Sequence, residues 1–217
     1  MTCTHNGVNS TKKRLGDMNM GRIVAIAGGD LLSTRKLNLH TIQLSNKANP
    51  RVLFVGTASY DAEGYIEAIT KEWTSLGCDV KSLSLTSKSY RDKEIDQLLA
   101  WADIIYIGGG AICWFYCGHS DSEASHNEDD ERYCWATGML DIFHMAYCPH
   151  YNEPERNTFD QMMLKKNMPG LAMENDTAFV ENNGDQYYIK STPTAKAYII
   201  QYINGLMEKQ EVTYRYY

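Results

Sequence analysis

Short apolar runs alternate with amphipathic segments along the first half of the chain. Four runs have the length and the β-branched content of strands; they are residues 23–27, 52–55, 80–85 and 104–107. Three segments between them carry apolar positions at helical spacing; they are residues 37–46, 62–76 and 90–101. This alternation predicts βαβ crossovers, and therefore an α/β fold with a parallel central sheet flanked by helices.

The second half has a different pattern. Two pairs of alternating runs meet at Asn-Gly turns and predict antiparallel hairpins; they are residues 171–180 with 186–190, and 195–202 with 206–212. Residues 158–166 predict a short helix. Residues 120–131 are acidic and poor in apolar side chains, which predicts a surface loop.

Residues 104–122 contain the features that bear most directly on function. An apolar strand ends in Gly108, Gly109 and Gly110, and the apolar residues 111–117 predict a buried helix that starts at once. Backbone donors of the glycines would then lie at a helix N-terminus, where they suit a carbonyl oxygen or an anion. Loops 28–30, 56–61 and 108–110 all follow strands, and ligands of parallel sheets bind beyond such ends. We expect these three loops to share one rim.

Composition narrows the class of protein. The chain has 217 residues and 43% hydrophobic residues, enough for one sizeable core, so we expect a single domain over 21–217 and a disordered tail over 1–20. Met1, Met18 and Met20 all remain candidate start residues. A net charge of −6 without a basic patch argues against nucleic acid and anionic membranes as partners. Six cysteines without an apolar leader indicate a cytoplasmic protein with reduced thiols.

Two side chains are candidates for acid–base chemistry. His150 follows Pro149, which favours a strand end or a turn and suits a general base on the rim. Asp121, just beyond the predicted helix, could orient a histidine. The alternatives are a surface or structural histidine and a solvated acidic loop, and residue type alone does not exclude them.

Cofactors and metals have weaker support. The cysteines and histidines of the central third could bind zinc, but they lack CxxC spacing, and buried thiols are the commoner fate of such residues. Gly28 and Gly29 follow a strand without completing a nucleotide-binding motif. We therefore expect no cofactor and no metal.

Six motifs taken in order resemble a known family. They are IVAIAGGD, VLFVGTAS with Asp61 and Tyr65, DIIYIGGG, AICWFYCGHSDS, CPHYN and LAMENDTAFV. They are similar to the motifs of peptidase E and its cyanophycinase-like relatives, and the likeness covers nearly everything from residue 22 to residue 197. The resemblance implies a class I glutamine amidotransferase-like (flavodoxin-like) fold, and a Ser-His-Asp hydrolase for dipeptides with an N-terminal aspartate. It also implies His150 as catalytic base, Asp121 as triad acid, Gly109 or Gly110 as oxyanion donor, and Glu174 as a residue supporting the site.

One departure from the family is large. Relatives place a helix, a strand and a Gly-x-Ser-Ala-Gly elbow between the glycine loop and the next helix, whereas Gly110 is followed here directly by Ala111. An αβ unit of ~30 residues is lacking, and the nucleophilic serine with it. The neighbouring strands must re-pair or leave buried backbone groups unpaired. Ser120, Ser122 and Cys113 lack the strained turn that exposes a nucleophile.

Two main hypotheses follow. The chain descends from serine peptidases but lacks their nucleophile and is inactive in this form, either because the protein carries a deletion or because its sequence is incomplete. Alternatively, it is a non-catalytic module that binds a small acidic peptide or amino acid. A metal-binding protein is a distant third hypothesis, and the resemblance leaves a homodimer open.

Overall fold

The computed structural model describes residues 21–108, 117–123, 134–137, 143–154, 156, 158–166 and 168–215, and only the backbone of 117–123 and 134–137. The first half follows the predicted alternation. Its elements are β1 (Arg22–Ile26), α1 (Arg35–Ser45), β2 (Arg51–Val55), α2 (Glu63–Ser75), β3 (Asp79–Leu83), α3 (Asp92–Trp101) and β4 (Ile104–Ile107). The mixed α/β class with a parallel sheet and helices is confirmed.

The second half is richer in strands than predicted. Its elements are β5 (Cys117–Glu123), β6 (Cys134–Thr137), β7 (Phe143–Cys148), α4 (Thr158–Met163), β8 (Gly170–Met173), β9 (Thr177–Asn182), β10 (Asp185–Lys190), β11 (Ala197–Ile203) and β12 (Leu206–Glu211). The loop predicted to begin at residue 120 is wrong up to residue 123, because strand pairing with β7 overrides the polar sequence. Of the helix predicted over 111–117, Cys117 lies in β5 and the rest lies outside the described residues.

The parallel sheet has the order β3-β2-β4. Its central strand β2 is apolar on both faces because both are covered, and Val52, Leu53 and Phe54 are fully buried. On one face, Ile69 and Trp73 of α2 pack against β2. These two helix residues lie four positions apart, as the predicted amphipathic spacing requires.

The first strand does not belong to this sheet, which corrects the prediction of one parallel sheet from the first four strands. β1 pairs antiparallel with β9, in a three-stranded sheet of order β1-β9-β10. Val24 and Ile26 pack with Ala178 and Val180 in one apolar cluster, beneath α1. The reason is long-range packing: an apolar run fixes that β1 is buried but does not fix which strand pairs with it.

The remaining strands form a six-stranded sheet of order β12-β11-β8-β7-β5-β6. β5, β7 and β8 are parallel, while β6, β11 and β12 join antiparallel. Both predicted hairpin turns are confirmed, since β9 pairs with β10 and β11 with β12. The predicted strand 171–180 is two strands in different sheets, and the chain switches sheet through Asp176, whose φ is 68°.

A hydrophobic cluster joins the three-stranded and six-stranded sheets. Ala27 and Phe179 come from the β1 side, and the six-stranded sheet supplies Tyr147, Met173 and Ala197. The rings of Phe143 and Phe179 meet edge to face, with their centroids 5.2 Å apart. Among the described residues, every helix is too short or too polar to cross a bilayer.

β4 is an edge strand with the composition of an interior strand. Within the described parts of the chain, β2 is its one hydrogen-bonded neighbour. Ile104 and Tyr106 pack against the α2 cluster, whereas Ile105 and Ile107 are 48% and 38% exposed. The parallel strands of the molecule therefore fall into two groups, one ending at β4 and the other containing β5, β7 and β8.

Candidate active site

His150 lies just beyond the carboxyl end of β7. Pro149 separates it from the strand, and its own φ of 54° turns the chain sharply. The His150 carbonyl accepts the Glu153 amide at 2.8 Å, and the Tyr151 amide donates to the Met173 carbonyl at 3.0 Å. A left-handed conformation is uncommon for residues other than glycine, so these bonds hold His150 in a strained turn.

Two acceptors hold one nitrogen of the imidazole. His150 Nδ1 lies 2.6 Å from Asn175 Oδ1 and 3.2 Å from Glu153 Oε1. Asn175 Nδ2 donates to the same Glu153 oxygen at 3.0 Å, which fixes the amide with its oxygen toward the ring. In the neutral imidazole the proton is therefore on Nδ1, and Nε2 carries the lone pair. No described residue hydrogen-bonds Nε2, which leaves it available as a base.

Glycine is required beneath this ring. A Cβ atom on Gly28, whose φ is 141°, would lie 2.2 Å from His150 Cε1 and 2.3 Å from Asn175 Oδ1. The Gly28 carbonyl accepts the Asp176 amide at 3.0 Å, and Ser33 Oγ donates to Asp176 Oδ1 at 2.5 Å. The loop after β1 is thus bonded to the turn between β8 and β9.

The family-derived residues occupy different places. Glu174 accepts the Lys196 amide at 2.9 Å through its carboxylate, so it contacts the start of β11 and not His150. Asp121 lies in β5, one position beyond Ser120, which is level with Tyr147 of β7. This puts the Asp121 backbone on the strand next to the one that leads to His150. Gly109 and Gly110 lie outside the described residues.

The three rim loops are only partly brought together. The 28–30 loop contacts His150, as described above. Gly108 lies at the end of β4, where an added Cβ would be 2.5 Å from the Phe54 ring and 2.8 Å from Tyr65 Oη. The 56–61 loop is bonded to the loop after β3, because Asp61 Oδ2 accepts the Thr86 amide and hydroxyl at 2.6 and 2.5 Å. Burial alone would raise the pKa of Asp61, but these hydrogen bonds lower it.

Metal ligation has no support in the described side chains, where no three His, Cys, Asp or Glu groups converge. Of the sequence candidates, His144 and Cys148 have described side chains. Cys148 is buried and its Sγ lies 3.6 Å from the Pro149 carbonyl oxygen.

Sequence reasoning placed the 28–30 loop on the rim without predicting that Gly28 contacts His150, and it did not single out Glu153 and Asn175. Asn175 adjoins the predicted Glu174, and Glu153 lies three positions after His150. Each of these residues is therefore close in sequence to a residue that was predicted. The missing information was spatial: Asn175 reaches His150 because the chain changes sheet between β8 and β9.

Comparisons with known proteins agree with the motifs. Peptidase family S51 matches residues 23–111. An uncharacterized peptidase, YgaJ of Bacillus subtilis, is 24% identical over 220 residues, covering 82% of this chain and 91% of the relative. The match runs over 220 aligned positions, which is more than the 82% of this 217-residue chain that it covers. The relative therefore has residues within the match that this chain lacks.

Two solved structures share the fold. The crystal structure of a peptidase from an acI-B1 Actinobacterium has a TM-score of 0.60, with 15% identity over 90% of this chain and 95% of that chain. A protein named as a peptidase E from Listeria monocytogenes EGD-e has a TM-score of 0.51, with 15% identity over 78% and 98%. The motifs, the match to peptidase family S51 over residues 23–111 and these relatives agree with one another, and the chain is similar to peptidase E-like proteins.

Proposed function

We propose that this peptidase E-like chain binds a small acidic peptide or amino acid at the His150 site without hydrolysing it. The ligand class comes from the resemblance, and so do the proposed amidotransferase-like arrangement, the cytoplasmic location and the option of a homodimer. The roles that the resemblance implies for Asp121, Gly109, Gly110 and Glu174 stay proposals.

The observation that carries the proposal is the break at β4. Gly110 meets Ala111 directly in sequence, the S51 match ends at residue 111, and β4 has an open edge among the described residues. All three are expected if the αβ unit that would supply the serine elbow is absent. Without a nucleophile, the base has nothing to activate, and loss of a catalytic serine typically removes about 10⁶-fold of the rate.

A serine peptidase by descent is the second candidate, and the geometry of His150 favours it. Nδ1 is held by Asn175 and Glu153, so Nε2, which no described residue hydrogen-bonds, carries the lone pair that a general base needs. This arrangement would serve hydrolysis at once if a serine were placed beside it. The two candidates share a fold and a ligand class and differ in the nucleophile alone.

The deciding experiment combines labelling, hydrolysis and binding on the purified chain. We expect no covalent fluorophosphonate adduct and no hydrolysis of aspartyl dipeptides, together with calorimetric binding of an Asp-containing dipeptide. The His150→Ala variant should lose that binding. A fluorophosphonate adduct on a serine, found by mass spectrometry, would contradict the non-catalytic proposal, and absence of binding would contradict the ligand assignment.

A further inference from the structure

Residues 212–215, here called the C-terminal strap, cross from the six-stranded sheet to the three-stranded sheet. The Val212 amide donates to the Ala197 carbonyl at 3.0 Å, and the Arg215 amide donates to the Tyr188 carbonyl at 2.9 Å. Ala197 begins β11, while Tyr188 lies in β10. The C-terminal strap therefore connects the two sheets. The same two sheets meet at the His150 site, where Gly28, just beyond β1, packs on His150, just beyond β7.

Tyr214 is the central residue of the strap. Its hydroxyl oxygen accepts the Ala197 amide at 2.5 Å, and its ring packs against the cluster between the sheets. Lys190 Nζ lies 4.3 Å from the ring centroid. Both backbone groups of Ala197 are thus held by the strap, the carbonyl by Val212 and the amide by Tyr214.

A short series of hydrogen bonds leads from Tyr214 to the imidazole. Lys196 precedes Ala197, and its amide donates to Glu174 Oε2 at 2.9 Å while its carbonyl accepts the Glu174 amide at 2.9 Å. Glu174 adjoins Asn175, whose Oδ1 lies 2.6 Å from His150 Nδ1. Every step is either one hydrogen bond or one residue along the chain.

We propose that Tyr214 is a positioning residue for His150. Its hydroxyl fixes the start of β11, β11 fixes Glu174 through both of its bonds to Lys196, and Glu174 sets where Asn175 meets the ring. Tyr214 contacts no reacting group, so it acts only through these residues. The inference builds on the function proposed above, but it concerns the orientation of His150 and can be tested without a ligand.

The test is Tyr214→Phe, which keeps the ring and its packing and removes only the acceptor. In protein with ¹⁵N-labelled imidazoles, we expect the His150 Nδ1 proton to exchange with water about tenfold faster, the size of one lost hydrogen bond. The Kd for an Asp-containing dipeptide should rise by about the same factor. Tyr90→Phe is the matched control, because it removes a hydroxyl that, like that of Tyr214, accepts a backbone amide, here the Ser84 amide at 3.3 Å beyond β3.

Glu174→Gln is the second variant and keeps the test decisive if Tyr214→Phe fails to fold. We expect it to speed His150 proton exchange as Tyr214→Phe does, and the double variant to show no additional effect. Unchanged exchange in both single variants, or an equal change in Tyr90→Phe, would overturn the proposal. If the unsubstituted protein binds no dipeptide, the proposed function fails while the exchange measurement still decides the role of Tyr214.

Discussion

His150 is oriented by neighbours from distant parts of the chain. Gly28 follows the first strand, Glu153 belongs to the same turn as His150, and Asn175 lies between β8 and β9. The motif CPHYN led to the assignment of His150 as a base, which stays a prediction. It was not sufficient to predict Gly28, because glycine at a strand end is equally typical of an ordinary turn.

Gly28→Ala tests the close approach of backbone to ring. The new methyl group would overlap His150 Cε1 and Asn175 Oδ1, so the ring must move. We expect dipeptide binding at least about tenfold weaker, and a free energy of unfolding lower by about 1–3 kcal/mol. Calorimetry and chemical denaturation measure the two effects.

Gly184→Ala is the control for backbone strain alone. Gly184 also has a positive φ, of 96°, but an added Cβ meets no atom within 4 Å. This variant should lose some stability and keep full binding. Equal binding loss in both variants would show that strain, and not contact with His150, explains the effect.

A second residue-level prediction concerns Cys78. Burial raises the pKa of its thiol to about 11, and the thiolate is the reactive form. We expect Cys78 to resist iodoacetamide at pH 8 in the folded protein and to react once the chain is unfolded in urea, as followed by mass spectrometry. Rapid labelling of Cys78 in the native state would contradict its burial.

Elements formed where the periodicity predicted them, but their partners did not follow from it. The runs that became β2, β3 and β4 form one parallel sheet of order β3-β2-β4, and its parallel character was predictable. β1 pairs with β9, about 150 residues later, because Val24 and Ile26 find Ala178 and Val180 in one cluster. A sequence pattern records that a face is apolar, and only the folded chain decides what covers it.

The ion pair between Arg51 and Asp103 fixes the start of β4 against β2. Asp103 accepts two bonds from the Arg51 guanidinium, at 3.0 and 3.1 Å, and one from its amide at 3.0 Å. These bonds lower the pKa of Asp103 from 3.8 to about 2. A lowered carboxyl pKa stabilises the folded state above pH 3.8, and this contribution is lost as the pH falls through about 2.

Asp103→Asn should therefore lower the unfolding midpoint in urea at pH 7, and the difference from the unsubstituted protein should disappear near pH 2. Denaturation curves across this range measure it. Asp96→Asn, on the exposed side of α3, is the control and should leave the midpoint unchanged. A difference that persists undiminished at pH 2 would mean that the pair does not act through the charge of Asp103.

At the scale of the whole molecule, the parallel strands form two groups in place of one continuous sheet. The direct junction of Gly110 and Ala111 predicted that the neighbouring strands would either re-pair or leave backbone groups unpaired, and β4 ends its sheet among the described residues. The way in which the remaining strands regrouped could not be predicted. It depends on the cluster of Ala27, Met173 and Phe179 that joins the other two sheets.

Inserting an αβ unit that ends in a Gly-x-Ser-Ala-Gly elbow between Gly110 and Ala111 should restore hydrolysis. The unit can be taken from a peptidase E-like relative. We expect turnover of aspartyl dipeptides to appear, because Nδ1 of His150 is already held and no described residue hydrogen-bonds its Nε2. A chromogenic dipeptide assay measures it.

The same insertion with His150→Ala is its control and should lose most of the gained rate. An inserted chain that folds, carries a serine reactive to fluorophosphonate and still hydrolyses no dipeptide would contradict the assignment of His150 as the base.

No described strand pairs with the second edge of β4, which bears on how the protein meets other molecules. Four consecutive apolar residues without a charge, a proline or a bulge are a template onto which a strand of another chain can add. By contrast, the outermost strand β12 carries Glu208, Lys209 and Glu211, which discourage such growth. We therefore expect self-association of this protein, where it occurs, to use that side of β4 in preference to β12 and to increase with protein concentration.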